Sequence, residues 1–317
     1  MIIPVYSFSR EEFPISIYIH IPFCVSRCSY CDFVTYAGCE NLLPHYVEAL
    51  IREIRAFSHA ANKKLPAHTI YFGGGTPSLL SPTQLSCILE VINDSFEILP
   101  NVEITLEANP NANHYNPELF DFGINRISIG AQSSHETELS VLGRKHTFTE
   151  VKQFVSLLRS KGSHQINIDL IYGIPHQNLE SWRETLEDTT DLNPEHISLY
   201  SLTVEKGTFL EKRLALRELA PIDEDLVADM YEYSCQYLKE LGFLHYEISN
   251  WAKISPNGKP YVCNHNVQYW LNLPYVGFGA GAHGFIQKKR LRNTNSIDQY
   301  IKNCTHEQNA CFPNSLA

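Results

Sequence analysis

Six short apolar runs, most of them rich in β-branched residues, alternate along the chain with amphipathic helical patterns. The runs are Ile15–Ile19, Thr69–Phe72, Val102–Leu106, Arg126–Ile129, Ile166–Ile171 and His196–Leu202. Alternation of this kind needs crossover connections, which make neighbouring strands parallel and bury the sheet on both faces. Six units are fewer than the eight of an ordinary closed barrel. We therefore predict an α/β fold with an incomplete barrel or an open sheet, whose ligands gather at the carboxyl ends of the strands.

Helical periodicity fills the intervals between these runs. Apolar residues recur at three-to-four spacing in 46–57, 85–96, 151–158 and 182–192. Ser81 and Pro82 are typical of the N-cap and first position of the second helix. The pattern changes near Pro221, so we predict a core domain over residues 1–220 and a smaller C-terminal α+β region over residues 221–317.

Charge and apolar content exclude several protein classes. The 317 residues include 25 Lys and Arg against 35 Asp and Glu, a formal charge of −10, which argues against a nucleic-acid partner. No stretch approaches the ~18 apolar residues of a membrane span. The first twelve residues are short for a secretory signal, lack its basic region and carry charges early, so we expect a cytoplasmic protein. Nine cysteines in such a chain are better read as metal ligands or reactive thiols than as disulfides.

Three cysteines form the sharpest motif in the sequence. Cys24, Cys28 and Cys31 follow the first predicted strand at C-x3-C-x2-C spacing. Thiolates suit iron–sulfur clusters or zinc. Three thiolates hold three irons of a four-iron cluster and leave the fourth iron open to another ligand. A zinc site would need a fourth ligand, for which His20 and Cys39 are available, and three buried structural cysteines are the remaining alternative.

The cysteine motif resembles the radical S-adenosylmethionine (SAM) superfamily when it is read with three further motifs. These are Tyr71-Phe72-Gly73-Gly74-Gly75-Thr76-Pro77, Glu107-Ala108-Asn109-Pro110 and His265-Asn266-x-x-Tyr269-Trp270. Tyr18-Ile19-His20-Ile21-Pro22-Phe23-Cys24 is similar to the branch that holds oxygen-independent coproporphyrinogen oxidases and heme chaperones. The resemblance implies an incomplete (β/α)6 TIM-type barrel, a 4Fe-4S cluster on Cys24, Cys28 and Cys31, and SAM chelating the open iron.

By the same resemblance, the residues that contact SAM are Tyr18, Gly74, Gly75, Thr76, Glu107, Gln132, Arg144 and Asp169. Their chemistry fits this role, since a carboxylate accepts from an amine or ribose and a guanidinium binds a carboxylate through two hydrogen bonds. Asp169 lies inside an apolar run, where an unpaired charge is costly, so it is expected to pair with Arg144 or the ligand. The alternatives are a tight turn at the glycines and structural or surface roles for the polar residues.

Two departures from the oxidase pattern bear on function. The oxidases carry a further cysteine two residues after the third, where this chain has Phe33, as heme chaperones do. The motif that begins at His265 is also one that the family links to heme. His265 is a candidate axial ligand of heme iron, with Cys263 and His283 as rivals; alternatively, it satisfies backbone groups. Family members usually continue with a further helical region, so we expect an abbreviated or truncated C-terminus.

The resemblance therefore implies one of two functions. The first is a heme chaperone that carries a 4Fe-4S cluster and exchangeable SAM and transfers heme to a protein of the respiratory chain. The alternative is an oxygen-independent coproporphyrinogen III oxidase. By family analogy, a flavodoxin or ferredoxin would donate electrons, and a homodimer is also consistent with the sequence.

Overall fold

Parallel β-strands form the centre of the computed structural model, which describes residues 13–110, 117–162, 165–305 and 314–315. The strands are β1 (Ile15–Ile21), β2 (Phe23–Cys24), β3 (Tyr36–Ala37), β4 (Pro66–Gly74), β5 (Glu97–Ala108), β6 (Arg126–Gln132), β7 (Ile166–Tyr172), β8 (His196–Ser201), β9 (Leu244–Glu247), β10 (Asn250–Ala252), β11 (Tyr275–Phe278), β12 (His283–Ile286), β13 (Lys289–Arg292) and β14 (Asn314–Ser315). All six predicted strands are confirmed.

The sheet runs in the order β14-β13-β12-β11-β1-β4-β5-β6-β7-β8-β10-β9. Strands β1, β4, β5, β6, β7 and β8 are parallel to one another, as the crossover argument predicts. Strand β11 pairs with β1 in parallel, and β10 pairs with β8 in antiparallel orientation. Since the order of the described strands ends at β9 and β14 without closure, the sheet is an incomplete barrel.

Helices pack on the outside of this sheet. They are α1 (Leu43–Ala61), α2 (Pro82–Ser95), α3 (Glu136–Leu142), α4 (Phe148–Ser160), α5 (Leu179–Asp191), α6 (Phe209–Ala215), α7 (Glu224–Glu240), α8 (Asn264–Trp270) and α9 (Ile297–Thr305). The Ser81 side chain caps α2 by accepting from the Gln84 backbone N–H, with Pro82 at the first position, as the sequence predicts. No helix in the described part of the chain combines the length and apolar character that a bilayer crossing needs.

The two faces of the parallel strands differ in polarity. Isoleucine, leucine and phenylalanine side chains at alternate positions are buried against the helices in the main core. The intervening positions carry polar side chains that border the cavities inside the barrel. This period of two follows from the pleat of a strand, which sends successive side chains to opposite faces. The fold therefore builds a polar interior from strands whose outer faces are apolar.

The C-terminal region adds strands to both edges of the same sheet. Strands β9 and β10 extend it beyond β8, while β11, β12 and β13 extend it beyond β1. Met230, Trp251, Phe278 and Tyr300 from this region belong to the main apolar core. The division at residue 221 stays a prediction from the sequence pattern.

Candidate functional site

The cysteine loop is fixed to its surroundings by backbone hydrogen bonds. The Ser29 backbone N–H donates to the carbonyl of Leu142 at 2.9 Å, and its hydroxyl donates to the carbonyl of Val141 at 2.7 Å. The Leu210 backbone N–H donates to the carbonyl of Ser29 at 2.8 Å, which ties the start of α6 to the loop. Contacts from two separate parts of the chain therefore hold the loop over the carboxyl end of β1.

The three cysteines border a cavity of about 470 Å³, the outer cavity. Each sulfur has a different neighbour. The Thr76 hydroxyl lies 3.7 Å from Cys24 Sγ, Arg144 Nη1 donates to Cys28 Sγ at 3.3 Å, and Cys31 Sγ lies 3.8 Å from the Thr35 hydroxyl. Burial raises the pKa of the Cys24 thiol to about 11. Three thiols therefore face one space from different sides.

This arrangement fits a four-iron cluster better than a zinc ion. A zinc ion needs four ligands that converge on one point, whereas a four-iron cluster takes each thiolate on a different iron. In the described residues, no three His, Cys, Asp or Glu side chains converge closely enough to hold one ion. His20 and Cys39 do not border the outer cavity. The ring nitrogens of His20 lie 2.9 Å from the Tyr18 hydroxyl and from the carbonyl of Val34.

The triple glycine lies beside the cysteines because larger residues do not fit there. A Cβ on Gly75 would lie 2.6 Å from the carbonyl oxygen of Phe23 and 3.0 Å from Cys24 Sγ. Gly74 has a φ of +110°, and a Cβ there would lie 2.4 Å from the ring of His20. Gly74, Gly75 and Thr76 all border the outer cavity. The glycines thus allow the tight turn and leave the cavity wall free of side chains.

The partly buried carboxyl groups of Glu107 and Asp169 border the outer cavity. Glu107 accepts from the Tyr71 hydroxyl at 2.8 Å and from the Gly74 backbone N–H at 3.0 Å, and burial raises its pKa to about 7. Burial likewise raises the pKa of Asp169, although Ser128 and Asn167 donate to it at 2.7 and 2.8 Å. Its pairing with Arg144 is not observed, because these two neighbours on the barrel interior occupy its oxygens.

Arg144 and Gln132 border the same cavity, and each has an unusual feature. Arg144 Nη2 donates to Asn109 Oδ1 at 2.9 Å and to the carbonyl of Gly130 at 2.6 Å. Its buried Nε has no hydrogen-bond partner in the described residues. Gln132 adopts a φ of +70°, a costly conformation for a side-chain-bearing residue and one that is concentrated at functional sites. These features fit a polar ligand such as SAM, bound beside the cysteines.

Tyr18 and His265 border a second space of about 230 Å³, the inner cavity. Tyr18 does not line the outer cavity, where the resemblance places its ligand contact. His265 is 2% exposed, and its ring nitrogens lie 2.8 Å from the Thr69 hydroxyl and 2.9 Å from the Tyr269 hydroxyl. Burial lowers the pKa of His265 to about 3, so its ring is neutral. In this conformation, iron would reach His265 only if one of these contacts broke.

The helix that carries His265 is held from inside the barrel. Glu103 on β5 accepts from the backbone N–H groups of Asn264 and His265, at 2.9 and 3.0 Å. At the other end of α8, Tyr269 is 39% exposed and Trp270 is 51% exposed. The motif therefore presents its histidine inward and its aromatic pair partly to solvent.

Several polar residues of the barrel interior escape an analysis that looks for apolar runs. Glu103, Arg126, Asn167 and Ser198 are buried and surround the inner cavity or support its wall. The signal that finds them is the alternation of polar and apolar residues inside the predicted strands, with a period of two.

Comparison with known proteins identifies the family. A model described as the radical SAM superfamily matches residues 18–189. The heme chaperone HemW of Lactococcus lactis is 38% identical over 291 residues, which cover 91% of this chain and 74% of the relative. HemW of Escherichia coli is 38% identical over 290 residues, 89% of this chain and 73% of the relative.

The fold also matches a solved structure. Coproporphyrinogen III oxidase (HemN) from Escherichia coli superimposes with a TM-score of 0.82 over 98% of this chain and 73% of that chain, at 22% identity. At this identity, the likeness establishes the fold alone. Since the family model covers more than half of the chain and the HemW relatives match most of it, the chain belongs to the radical SAM superfamily and, within it, to the HemW family.

Proposed function

We propose that this protein is a heme chaperone, which binds heme together with a 4Fe-4S cluster and exchangeable SAM and transfers the heme to an acceptor protein. The observation that carries the proposal is the 38% identity to a heme chaperone over 91% of the chain. Phe33 supports it, since this residue stands where the oxidases carry their further cysteine. Its side chain is 68% exposed at the rim of the outer cavity.

Cys24, Cys28 and Cys31 would hold the cluster in this proposal. The donor set supports the assignment, because three thiols border one cavity with a different neighbour each. When bound, the cluster supplies an electron that can break a carbon–sulfur bond of SAM. The Arg144 guanidinium would orient the Cys28 sulfur through its hydrogen bond to that atom.

The walls of the outer cavity would hold SAM. Gly74, Gly75 and Thr76 leave room for its methionine end, while Gln132 and the unpartnered Nε of Arg144 offer polar contacts. The carboxyl groups of Glu107 and Asp169 accept from an amine or a ribose when they are ionised. Tyr18 would support this wall indirectly. Its hydroxyl contacts His20, and Gly74 packs against His20.

Heme would contact the exposed end of α8. A flat macrocycle packs well on aromatic rings, and Tyr269 and Trp270 offer two partly exposed rings. We assign His265 to the heme-binding motif as the residue that holds Tyr269 in place through its 2.9 Å contact. Axial ligation of the iron by His265 would require that contact to open.

The partners follow from the same proposal. Heme passes to an acceptor protein of the respiratory chain, and a flavodoxin or ferredoxin supplies electrons to the cluster. The chain acts as a homodimer in the cytoplasm, where reduced thiols persist.

One observation favours coproporphyrinogen oxidation as a second candidate. The outer cavity joins a cysteine triplet to two partly buried carboxyl groups, at Glu107 and Asp169, with room for more than a cluster. The identity to HemW relatives outweighs this feature, because a shared fold and cavity serve several chemistries.

An anaerobic heme titration with a parallel turnover assay tests the proposal. The reconstituted protein is titrated with heme, and the Soret band is followed while coproporphyrinogen decarboxylation is measured separately. We expect saturation near one equivalent of heme and no decarboxylation. Clear decarboxylation of coproporphyrinogen, or the lack of a saturable Soret change, overturns the proposal.

Variants of α8 test the heme site. We expect Trp270→Ala to weaken heme binding without loss of the cluster, since this side chain is half exposed and supports little of the core. We expect His265→Ala to weaken it as well, by releasing Tyr269. Leu157→Ala removes an exposed apolar side chain on α4 and serves as the control. Unchanged heme affinity in both α8 variants excludes this helix as the site.

A further inference from the structure

The inner cavity extends toward the amino ends of the strands, since Arg126 begins β6 and Asn167 is the second residue of β7. It measures about 230 Å³ and shares Tyr71, Glu107, Ser128, Asp169 and Tyr200 with the outer cavity. The rest of its wall comes from the lower barrel and from α8. Since the two cavities share a wall, a molecule in the inner one would lie next to the proposed SAM site.

One strong donor on this wall has no acceptor in the part of the chain that the structure describes. Arg126 borders the inner cavity, and its side chain is only 3% exposed. Its guanidinium carries five N–H donors and stays charged at any physiological pH. Among the described residues, none accepts a hydrogen bond from Arg126 or forms an ion pair with it within 4 Å. Glu103 offsets the charge of this guanidinium through space, but its N–H donors have no hydrogen-bonded acceptor among the described residues, which favours a ligand that accepts hydrogen bonds from it.

Three carboxyl groups interact electrostatically with Arg126, and all three already accept hydrogen bonds from other donors. Glu103 accepts from the first turn of α8, with both oxygens engaged. Glu107 accepts from a tyrosine hydroxyl and a backbone N–H, and Asp169 accepts from a serine and an asparagine. The guanidinium therefore faces acidic groups that lie near it without bonding to it.

We propose that the inner cavity binds a small carboxylic acid, whose carboxylate Arg126 holds through its guanidinium. A planar carboxylate matches the fork of Arg126. The cavity is smaller than the roughly 300–1,000 Å³ pockets of drug-sized ligands, which excludes a whole tetrapyrrole. A single negative charge also suits a wall that already holds three acidic groups better than a phosphate would.

Hydroxyl and amide groups surround the rest of the ligand. Ser128, Ser198, Asn167 and Asn250 border the cavity, together with the rings of several tyrosines. Such a wall accommodates a short, partly polar acid. The cavity shares His265 and Tyr269 with the proposed heme site, whereas Trp270 is absent from its lining, so heme binding must be measured alongside acid binding.

Propionate and propionamide form a matched pair of probes. Saturation-transfer NMR and thermal unfolding of the anaerobically reconstituted full chain compare the acid with its neutral amide, at equal ionic strength. We expect propionate to give a transfer signal and to raise the unfolding midpoint, and propionamide to do neither. Equal responses to the two probes overturn the proposal.

Variants locate the effect at Arg126. We expect Arg126→Gln to raise the Kd of propionate at least about ten-fold, because a charge-assisted pair of hydrogen bonds is lost. Arg183→Gln removes an exposed guanidinium that stacks on Tyr233 and should leave the Kd unchanged. An unchanged Kd in Arg126→Gln overturns the proposal.

A crystal structure of the wild-type protein with propionate covers the case in which Arg126→Gln does not fold. Carboxylate density within hydrogen-bond distance of the guanidinium supports the site, and water alone beside Arg126 contradicts it. Heme titration distinguishes a free carboxylic acid from a carboxylate group that belongs to a larger ligand. Unchanged heme affinity in Arg126→Gln supports the free acid, and lost heme binding overturns it.

Discussion

The carboxylate of Glu103, on strand β5, accepts a 3.0 Å hydrogen bond from the backbone N–H of His265, 162 residues further along the chain. The same carboxylate accepts from the backbone and side chain of Asn264 at 2.9 and 3.0 Å. A carboxylate at the start of a helix satisfies unpaired N–H groups and interacts favourably with the helix dipole. A residue of the barrel therefore sets the position of the helix that carries the heme-linked motif.

Glu103→Gln should loosen this helix while leaving the cluster intact. The amide keeps the shape of the side chain but loses its charge and one acceptor, so we expect a loss of about 1–3 kcal/mol in the free energy of unfolding. Urea denaturation of the reconstituted protein measures the loss, and a heme titration should show weaker binding. Glu180→Gln, in the exposed first turn of α5, is the control. Equal stability of Glu103→Gln and wild type would show that this contact is dispensable.

Cys28→Ser should abolish cluster binding. The sulfur borders the outer cavity and accepts from Arg144, whereas Cys39 lies outside that cavity. We expect Cys28→Ser to lose the iron–sulfur absorbance near roughly 400 nm after anaerobic reconstitution. Cys39→Ser should keep this absorbance together with its iron and sulfide content. Full absorbance in Cys28→Ser contradicts the ligand assignment.

Gly75→Ala should damage the cluster site through a backbone clash. The added Cβ would lie 2.6 Å from the carbonyl oxygen of Phe23 and 2.8 Å from that of Ile21, which cannot move as a side-chain end can. We expect a loss of roughly 1–3 kcal/mol in the free energy of unfolding, together with less iron per chain. Gly284→Ala meets its nearest atom at 3.4 Å and serves as the control. Normal iron content in Gly75→Ala would contradict the packing argument.

Glu53 should make stability depend on pH. Burial raises its pKa from 4.5 to about 7, against the opposing effect of donors from Tyr300, Gly279 and Asn293. Because the folded state binds this proton more tightly than the unfolded state, Glu53 contributes stability below pH 4.5 that is lost as pH rises to about 7. The loss is about 3 kcal/mol for this group.

The difference between wild type and Glu53→Gln isolates that contribution, since Glu107 has a similarly raised pKa. Urea denaturation at several pH values between 4.5 and 8 should give a shallower decline for Glu53→Gln. Tyr300→Phe removes a donor that lowers the pKa of Glu53, so it should move the decline to higher pH. Parallel curves for wild type and Glu53→Gln would refute the assignment.

Local signals in the sequence were sufficient to predict the strands, the start of α2 and the cysteine loop. Ser81 and Pro82 predict the start of α2 because capping depends on residues within one helical turn. The six parallel strands follow from short apolar runs, and crossover connections make them parallel whatever the details of packing. The spacing of Cys24, Cys28 and Cys31 places all three on one short loop, so their approach to a common cavity is also largely local.

Only the tertiary structure decided which polar residues meet inside the barrel. Asp169 bonds to Ser128 and Asn167 instead of Arg144, His265 turns inward to Thr69, and Arg126 faces a cavity without an acceptor. These outcomes depend on strand register and on α8 docking against β5, across separations of up to 196 residues. Periodicity and capping act within a few residues, so the sequence determined the parts and their order. Long-range packing determined which side chains share a cavity.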